Sequence, residues 1–228
     1  MRETGPGLRG TAGIDEAGRG PMIGPLVVCG VLVQPESITE LQRIGVRDSK
    51  TLTPKRRVEL AKKIRGIADR ISLRRISAAR IDDLRAKGVT MNEIEVRAFA
   101  SILRSLRPDK AFIDAADINA QRFGVLIGEK SGLVSLGCSI VSEHFADSTY
   151  PAVSAASIVA KVDRDNRIRE LQKNYGAFGS GYPSDSRTVQ FVRSFVVDKT
   201  PLPAIVRKSW KSVERILRES KGEQMRLG

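Results

Sequence analysis

The 228-residue sequence is poor in the side chains that build common metal and nucleophilic sites. It has a single histidine, His144, and two cysteines, Cys29 and Cys138. A zinc site of several histidines is therefore excluded, and the separation of the cysteines excludes a Cys-x-x-Cys pair. Any Ser-His or Cys-His mechanism would have to use His144. We expect this histidine to be structural or to lie at the edge of a site. The catalytic groups are then expected among other residue types.

Long apolar runs are also missing from the sequence. No run approaches the ~20 residues that a membrane-spanning helix requires, and residues 1–9 lack the apolar core of a signal peptide. Both cysteines lie in apolar, strand-like runs, which is typical of reduced, buried thiols in intracellular proteins, although a single disulfide stays open. We therefore expect a cytoplasmic protein with no membrane partner.

Positive charge is what the chain has in excess. It contains 39 Lys and Arg against 26 Asp and Glu, which gives a formal net charge of +13. A balance of this kind predicts a polyanionic partner, and nucleic acid is the first candidate. The alternative is a basic surface that serves only solubility. The basic stretch from Arg207 to Lys211 fits either a phosphate contact or a solvated surface.

The most informative stretch runs from Gly13 to Pro21. Asp15 and Glu16 end a predicted strand, and Gly18 and Gly20 follow at once. Carboxylates are hard oxygen ligands suited to magnesium or manganese, and glycines let backbone N–H groups approach a phosphate or sugar. Successive strand side chains point to opposite faces, so the two carboxylates share a site only if the turn into Gly18 re-aims one of them. Taken alone, the pair also fits a solvated strand end.

The hydrophobic pattern predicts an α/β protein. Strands are expected at residues 10–16, 26–33, 70–77, 110–114 and 136–141, and helices at 37–44, 54–68, 79–87, 91–106, 119–130, 151–174 and 186–197. A last amphipathic helix would place Val206, Trp210, Val213 and Leu217 on one side. This order favours a mixed five-stranded sheet flanked by helices. Residues 1–200 would form the catalytic domain, with 201–228 as a C-terminal helical segment packed on or beside it.

Four carboxylates are expected to meet at one edge of this sheet. Sites in α/β sheets form beyond the carboxyl ends of the parallel strands. Asp114 ends one predicted strand and Asp147 follows another, and Asp15 and Glu16 end the first. Such a cluster would be repulsive without cations. It therefore predicts a divalent-metal site, and two metal ions could activate water for phosphodiester hydrolysis without a histidine.

These motifs resemble those of the type 2 ribonucleases H, the ribonuclease HII family, in its archaeal single-chain branch. Six segments carry the resemblance in the family's order, over about residues 11–217: Gly13–Pro21, Asp48-Ser49-Lys50, Phe112–Asp117, Glu143–Asp147, Val153–Asp165 and Gly179–Asp185. The resemblance implies a ribonuclease H-like fold. It also implies an endonuclease that hydrolyses the RNA strand of RNA/DNA hybrids and cuts 5′ of ribonucleotides embedded in duplex DNA, leaving 5′-phosphates.

The resemblance implies roles for particular residues. The catalytic residues, which would hold two Mg²⁺ or Mn²⁺ ions with substrate bound, would be Asp15, Glu16, Asp114 and Asp147. The residues that would bind substrate are Gly18, Arg19, Gly20, Ser49, Lys50, Lys161 and Tyr182. Of these, the Gly18–Gly20 segment would read the 2′-hydroxyl, Tyr182 would lie at the RNA–DNA junction, and the others would contact phosphates. Phe145 departs from the family's pattern, which has a basic residue there, so one nucleic-acid contact is in doubt.

Two other classes of protein share parts of this pattern. A non-catalytic nucleic-acid-binding module would use the same basic surface, but an acidic cluster in its groove would repel phosphates. A nucleotide-binding enzyme would use the glycines at 18, 20 and 24, but their spacing misses the dinucleotide fingerprint and the loop leads into a strand.

Other conspicuous residues are expected to have structural roles. Asp117 would cap the following helix, Asp163 would be a solvated helix residue, Asp165 could order the site indirectly, and Trp210 would belong to the core. The C-terminal Gln224–Gly228 lacks the aromatic pair of a sliding-clamp-binding peptide, so no clamp partner is predicted. We expect the protein to be a monomer.

Overall fold

The computed structural model describes residues 7–46 and 52–226, with side chains as far as residue 219. The strands are β1 (Thr11–Ala17), β2 (Leu26–Val33), β3 (Arg70–Ile76), β4 (Lys110–Asp114) and β5 (Ser139–Glu143). The helices are α1 (Pro35–Arg43), α2 (Pro54–Ile67), α3 (Ala78–Ala86), α4 (Met91–Leu106), α5 (Ala120–Ser131), α6 (Ala146–Thr149), α7 (Pro151–Tyr175), α8 (Ser186–Val197) and α9 (Lys211–Arg226). No helix in these ranges is both long enough and apolar enough to cross a bilayer.

The strands form one mixed five-stranded sheet, as predicted, and their order in it is β3-β2-β1-β4-β5. β1 pairs antiparallel with β2, with Asp15 opposite Cys29. It pairs parallel with β4, which in turn pairs parallel with β5, where Asp114 lies opposite Glu143. The carboxyl ends of β1, β4 and β5 therefore meet at the same edge of the sheet.

Contacts divide the chain into two compact units. Of the described residues, the first unit takes those within Met1–Ala17, Val27–Arg74 and Asn92–Asp163, and the second those within Gly18–Leu26, Arg75–Met91 and Arg164–Gly228. The segment after residue 200 is thus grouped with the end of α7, with α3 and with the loop that follows β1. Each unit has its own apolar core, built around β2, α2 and α7 in the first and around α8 and α9 in the second.

In the first unit, α7 packs unusually close to β1. A Cβ placed on Gly13 would lie 2.0 Å from the carbonyl carbon of Ala152, so only glycine fits there. The small residues of the helix that follow, Ala155, Ala156, Ser157 and Ala160, are fully buried. These small side chains let α7 approach the sheet closely, which brings Ser157 and Lys161 towards Asp15 in β1.

Two segments differ from the predicted elements. The strand expected at 136–141 is β5, at 139–143, because Val134–Leu136 form a 3₁₀ turn that Gly137 ends with a φ of +98°. The last helix begins at Lys211, so Val206 and Trp210 precede it. The carboxylate of Asp82 accepts hydrogen bonds from the N–H groups of Lys208 and Ser209, which holds that backbone outside the helix.

Both cysteines are free, buried thiols, and the alternative of a disulfide between them is wrong. Burial raises the pKa of Cys138 to about 11 and raises that of Cys29 further. Neither thiol is therefore a ready nucleophile at neutral pH.

Candidate active site

Three acidic side chains meet at the carboxyl edge of the parallel strands. Asp15 lies in β1, Asp114 is the last residue of β4, and Asp147 lies in the short helix α6 after β5. One oxygen from each carboxylate lies within 4.8 Å of those of the other two. Asp15 and Asp147 are buried, with 5% and 4% of their surface exposed, whereas Asp114 is partly exposed. The structure thus brings together three of the four predicted metal ligands.

Local hydrogen bonds orient these carboxylates. Asp15 accepts a bond of 2.6 Å from the N–H of Glu16, and Asp114 accepts one of 2.9 Å from the N–H of Ala146. Ala146 follows Phe145, whose left-handed φ of 59° turns the chain from β5 into α6. The ring of Phe145 is 70% exposed. The residue that departs from the family's pattern therefore shapes the turn beside the site and presents an apolar ring to solvent.

The electrostatics of the cluster favour a cation. Burial, together with the charge of Asp114, raises the pKa of Asp15 to about 7, while the Ser157 hydroxyl, the Glu16 N–H and the Lys161 ammonium act in the opposite direction. Lys161 donates a hydrogen bond of 2.8 Å to Ser157. The hydroxyl, the N–H and the ammonium offset only part of the effect of burial and of the repulsion between Asp15 and Asp114. A divalent cation that prefers oxygen ligands would therefore be favoured by these carboxylates.

Glu16 is the predicted ligand that the structure does not place in this group. Among the described residues, the cluster of three contains Asp15, Asp114 and Asp147. β1 continues regularly through Ala17, which pairs with Val27, so neighbouring side chains alternate between the two faces as in any strand. A role for Glu16 at the metals stays a prediction.

The loop after β1 lies in the second unit, and its two glycines differ in what the fold demands. Gly18 has a φ of +89°, and a Cβ there would lie 2.6 Å from the carbonyl oxygen of Pro25 and from Nε of Arg164. Gly20 is exposed, and the nearest atom to its Cβ position is Cε1 of Tyr182 at 4.0 Å. The fold therefore requires glycine at position 18 but not at position 20.

Tyr182 lies in the loop that joins α7 to α8, in the same unit. Its side chain is 38% exposed, and the guanidinium carbon of Arg164 lies 4.9 Å from the centre of its ring. The carbonyl of the preceding Gly181 accepts hydrogen bonds of 2.8 and 3.2 Å from the N–H groups of Met22 and Ile23. The loop that carries Tyr182 is therefore tied directly to the loop that carries Gly18 and Gly20.

This tyrosine loop is also anchored to the first turn of α8. Asp185, the N-cap of that helix, accepts a hydrogen bond of 2.8 Å from the N–H of Ser180, and Thr188 accepts one of 3.0 Å from the N–H of Gly181. The bond from Ser180 and the ion pair with Arg187 lower the pKa of Asp185 strongly. A carboxylate thus stays charged at this loop, so the loop has a defined shape before any ligand binds.

The structure describes the contacts of some of the other residues singled out in the sequence, but not of all. Ser49 and Lys50 lie outside the described residues. His144 places Nε2 3.1 Å from the carbonyl oxygen of Ile118, and its structural role stays a prediction. The helix cap expected of Asp117 is wrong, because Asn119 caps α5 and Asp117 binds the guanidinium of Arg122.

Three more residues differ in burial from what the sequence predicts. Asp163 is 8% exposed and is therefore not a solvated residue. Arg207, expected to contact phosphates or solvent, is fully buried. Trp210 packs against the core of the second unit as predicted, and its indole N–H also donates to the carbonyl of Gly20 at 3.3 Å. The apolar run Ala204–Val206 directly before Arg207 is the sequence signal that could have indicated the burial.

Known proteins resemble this chain over most of its length. The family model described as Ribonuclease HII matches residues 12–213. The ribonuclease HII of Methanosarcina barkeri is 47% identical over 216 residues, which are 92% of this chain and 96% of the relative. The crystal structure of the ribonuclease H2 from Pyrococcus horikoshii has a TM-score of 0.85 at 39% identity, covering 92% of this chain and 98% of its own. The PCNA:RNase HII complex from Archaeoglobus fulgidus has a TM-score of 0.82 at 40% identity, covering 90% and 96%.

Proposed function

Because the chain belongs to the ribonuclease HII family, we propose that it cuts duplex DNA on the 5′ side of embedded ribonucleotides by two-metal-ion hydrolysis. Cleavage of the RNA strand of RNA/DNA hybrids is the activity that membership of the family supports. The observation that carries the proposal is the approach of Asp15, Asp114 and Asp147 to within 4.8 Å at the end of the parallel strands.

The acidic cluster supports a hydrolytic role. Two Mg²⁺ or Mn²⁺ ions, held by Asp15, Asp114 and Asp147 with Glu16, would supply an activated water and neutralise the leaving oxygen. The protein's own contribution is to hold these carboxylates, through the bonds from Glu16 and Ala146 and through the Ser157–Lys161 pair on α7. A merely phosphate-binding module would gain nothing from a buried acidic cluster, which disfavours that alternative.

The glycine loop supports recognition of the ribonucleotide. RNA differs from DNA at a given nucleotide chiefly by its 2′-hydroxyl, which donates and accepts hydrogen bonds. The loop begins two residues after Glu16, and the fold itself leaves room for a Cβ at Gly20. The fold does not require glycine at position 20. A substrate sugar that approaches the backbone at this position would explain why the residue has no side chain. In the same proposal Tyr182 presses on the neighbouring deoxyribose.

The charge balance supports the two proposed partners, RNA/DNA hybrid and ribonucleotide-containing duplex DNA. A net charge of +13 favours phosphate binding, and Lys161 is proposed as one phosphate contact. Action as a monomer in the cytoplasm is part of the proposal, and the reduced thiols support an intracellular location. The C-terminal segment Gln224–Gly228, which would have to bind a sliding clamp, ends outside the described residues. The absence of a clamp partner therefore stays a prediction.

The decisive experiment uses a DNA duplex with one ribonucleotide, incubated with Mg²⁺, with Mn²⁺ or with chelator. We expect one cut, on the 5′ side of the ribonucleotide, only when metal is present. Asp114→Asn should lose at least a hundredfold in rate while keeping its affinity for the duplex. The matched control is Asp83→Asn, which removes an exposed carboxylate paired with Arg80 and Lys87. Equal cutting by parent and Asp114→Asn would refute the site.

A further inference from the structure

Arg207 is the largest fully buried side chain in the described part of the protein. Burial of a guanidinium is costly unless its donors are all paired, and here desolvation lowers the pKa of Arg207 to about 9. Within the described residues no carboxylate forms an ion pair with it. Neutral backbone carbonyls accept the hydrogen bonds of the guanidinium instead. Removing this charge from water therefore costs free energy that an apolar side chain in the same place would not cost.

All three guanidinium nitrogens of Arg207 donate to the glycine loop. Nη2 binds the carbonyl of Gly18 at 2.6 Å, Nη1 that of Arg19 at 2.8 Å, and Nε that of Gly24 at 3.1 Å. The indole of Trp210 adds a bond to the carbonyl of Gly20 at 3.3 Å. Three consecutive carbonyls, from Gly18 to Gly20, are therefore held from one side.

These bonds fix the direction of the neighbouring amides. In a trans peptide unit the C=O and the N–H of the next residue point in opposite directions. The carbonyls of Gly18 and Arg19 face the guanidinium, so the N–H groups of Arg19 and Gly20 point away from it. Backbone donors oriented in this way at an exposed glycine are suited to a hydroxyl acceptor.

Arg207 is itself held on several sides. Its N–H donates to the carbonyl of Met22 at 2.8 Å, and its guanidinium lies 4.7 Å from the ring centre of Trp210. Asp82 of α3 accepts bonds from the N–H groups of Lys208 and Ser209 and from the Ser209 hydroxyl at 2.6 Å. The guanidinium thus has a fixed position before substrate arrives, and the loop is shaped around it.

We propose that Arg207 is a positioning residue that sets the backbone of Gly18–Gly20 so that its N–H groups recognise the 2′-hydroxyl of the scissile ribonucleotide. Recognition of the 2′-hydroxyl by the loop rests on the proposed function. Positioning of the loop by Arg207 does not depend on it. A lysine at this position would keep the charge, but its single ammonium lacks the planar fork that reaches three carbonyls. Arg207→Lys is therefore the informative variant.

The hold on the loop is tested by amide hydrogen exchange of peptides that cover residues 18–24. Arg207→Lys should exchange at least tenfold faster there than the parent. The control is Val192→Ala, which trims the apolar core of the same unit at α8 and leaves in place the side-chain hydrogen bonds that Arg207 and Trp210 donate to the loop. It should lower the melting temperature with no selective effect on residues 18–24. Parent-like exchange in Arg207→Lys would overturn the positioning role.

Recognition is tested in an Asp114→Asn background, which binds without cutting. The readout is the ratio of affinities for a duplex with one ribonucleotide and for the same duplex of DNA alone. Arg207→Lys should reduce this ratio at least fivefold with little change in affinity for plain DNA, whereas Val192→Ala should keep it. In the cutting protein the same loss of binding should lower kcat/KM for the ribonucleotide duplex at least fivefold.

Each result has a distinct meaning. A parent with no preference for the ribonucleotide refutes the reading role together with the proposed function, and the exchange experiment then decides the hold on the loop alone. A preserved ratio in Arg207→Lys refutes the reading role while the proposed function stands. If Arg207→Lys does not fold, Trp210→Phe takes its place. This variant removes the indole N–H that donates to Gly20 and keeps an aromatic ring beside the guanidinium, and it should reduce the ratio two- to fivefold.

Discussion

Replacement of Asp15 by asparagine should stabilise the metal-free protein at pH 8 although it removes a catalytic carboxylate. Burial and the charge of Asp114 raise the pKa of Asp15 to about 7, from an ordinary value of 3.8. The unfolded chain therefore loses this proton at lower pH than the folded protein does. The cost of ionising Asp15 in the folded state is absent below about pH 4, grows as the pH rises, and is complete above about pH 7.

The size of the effect follows from the same difference. One pKa unit corresponds to about 1.4 kcal/mol. The rise in the pKa of Asp15 from 3.8 to about 7 therefore lowers the free energy of unfolding by roughly 4 kcal/mol at pH 8. Asparagine is neutral but accepts hydrogen bonds from Glu16 and Ser157 less strongly than a carboxylate does, which reduces the gain. We expect Asp15→Asn to raise the free energy of unfolding by roughly 1–4 kcal/mol. For a chain of this size each kcal/mol corresponds to about 2–4 °C in Tm.

The assay is thermal unfolding in chelator at pH 5 and pH 8, repeated with Mn²⁺. The advantage of Asp15→Asn should shrink from pH 8 to pH 5, and Mn²⁺ should raise the Tm of the parent but not that of the variant. Asp83→Asn is the control of opposite sign, because hydrogen bonds from Lys87 and Arg80 lower the pKa of Asp83. A lower Tm for Asp15→Asn than for the parent at pH 8 without metal would refute the reasoning.

Three further predictions concern substrate recognition. Gly18→Ala should destabilise the protein and lose activity, whereas Gly20→Ala should keep the parent's Tm and lose only cleavage; equal Tm losses would contradict the steric argument. Tyr182→Ala should slow cleavage of a single embedded ribonucleotide at least tenfold with less than threefold loss of binding, measured by single-turnover kinetics, and undiminished cleavage would remove Tyr182 from the junction. Lys161→Met should reduce the slope of log affinity against log salt by about one if its ammonium meets a phosphate, and an unchanged slope would place it outside the interface.

Much of this protein is determined by short stretches of sequence. Thr53 and Pro54 predict the start of α2, and the Thr53 hydroxyl does accept a hydrogen bond from the N–H of Arg56 at 3.3 Å. Asp114 ends β4 as the hydrophobic pattern indicates. Caps, turns and strand ends depend on residues within a few positions of one another, so the local chain is sufficient to predict them. The order of strands and helices then gives the mixed sheet and its acidic edge.

Only the tertiary structure decided where particular side chains lie. The sequence places Asp15, Asp114 and Asp147 about a hundred and thirty positions apart at most, and only the folded sheet brings one oxygen of each to within 4.8 Å of the others. The sequence also gives Asp163 as a charged helix residue, and packing buries it. Direction and burial are set by whichever elements pack against a residue, and those elements come from distant parts of the chain.

Arg207 shows this limit most directly. In sequence it opens a basic stretch typical of a solvated surface, yet its guanidinium binds carbonyls that lie 183 to 189 positions earlier in the chain. A buried guanidinium requires partners that the fold must assemble first. The residue types therefore determined that the chain carries an acidic site followed by a glycine loop. The tertiary structure alone decided which distant side chain gives that loop its shape.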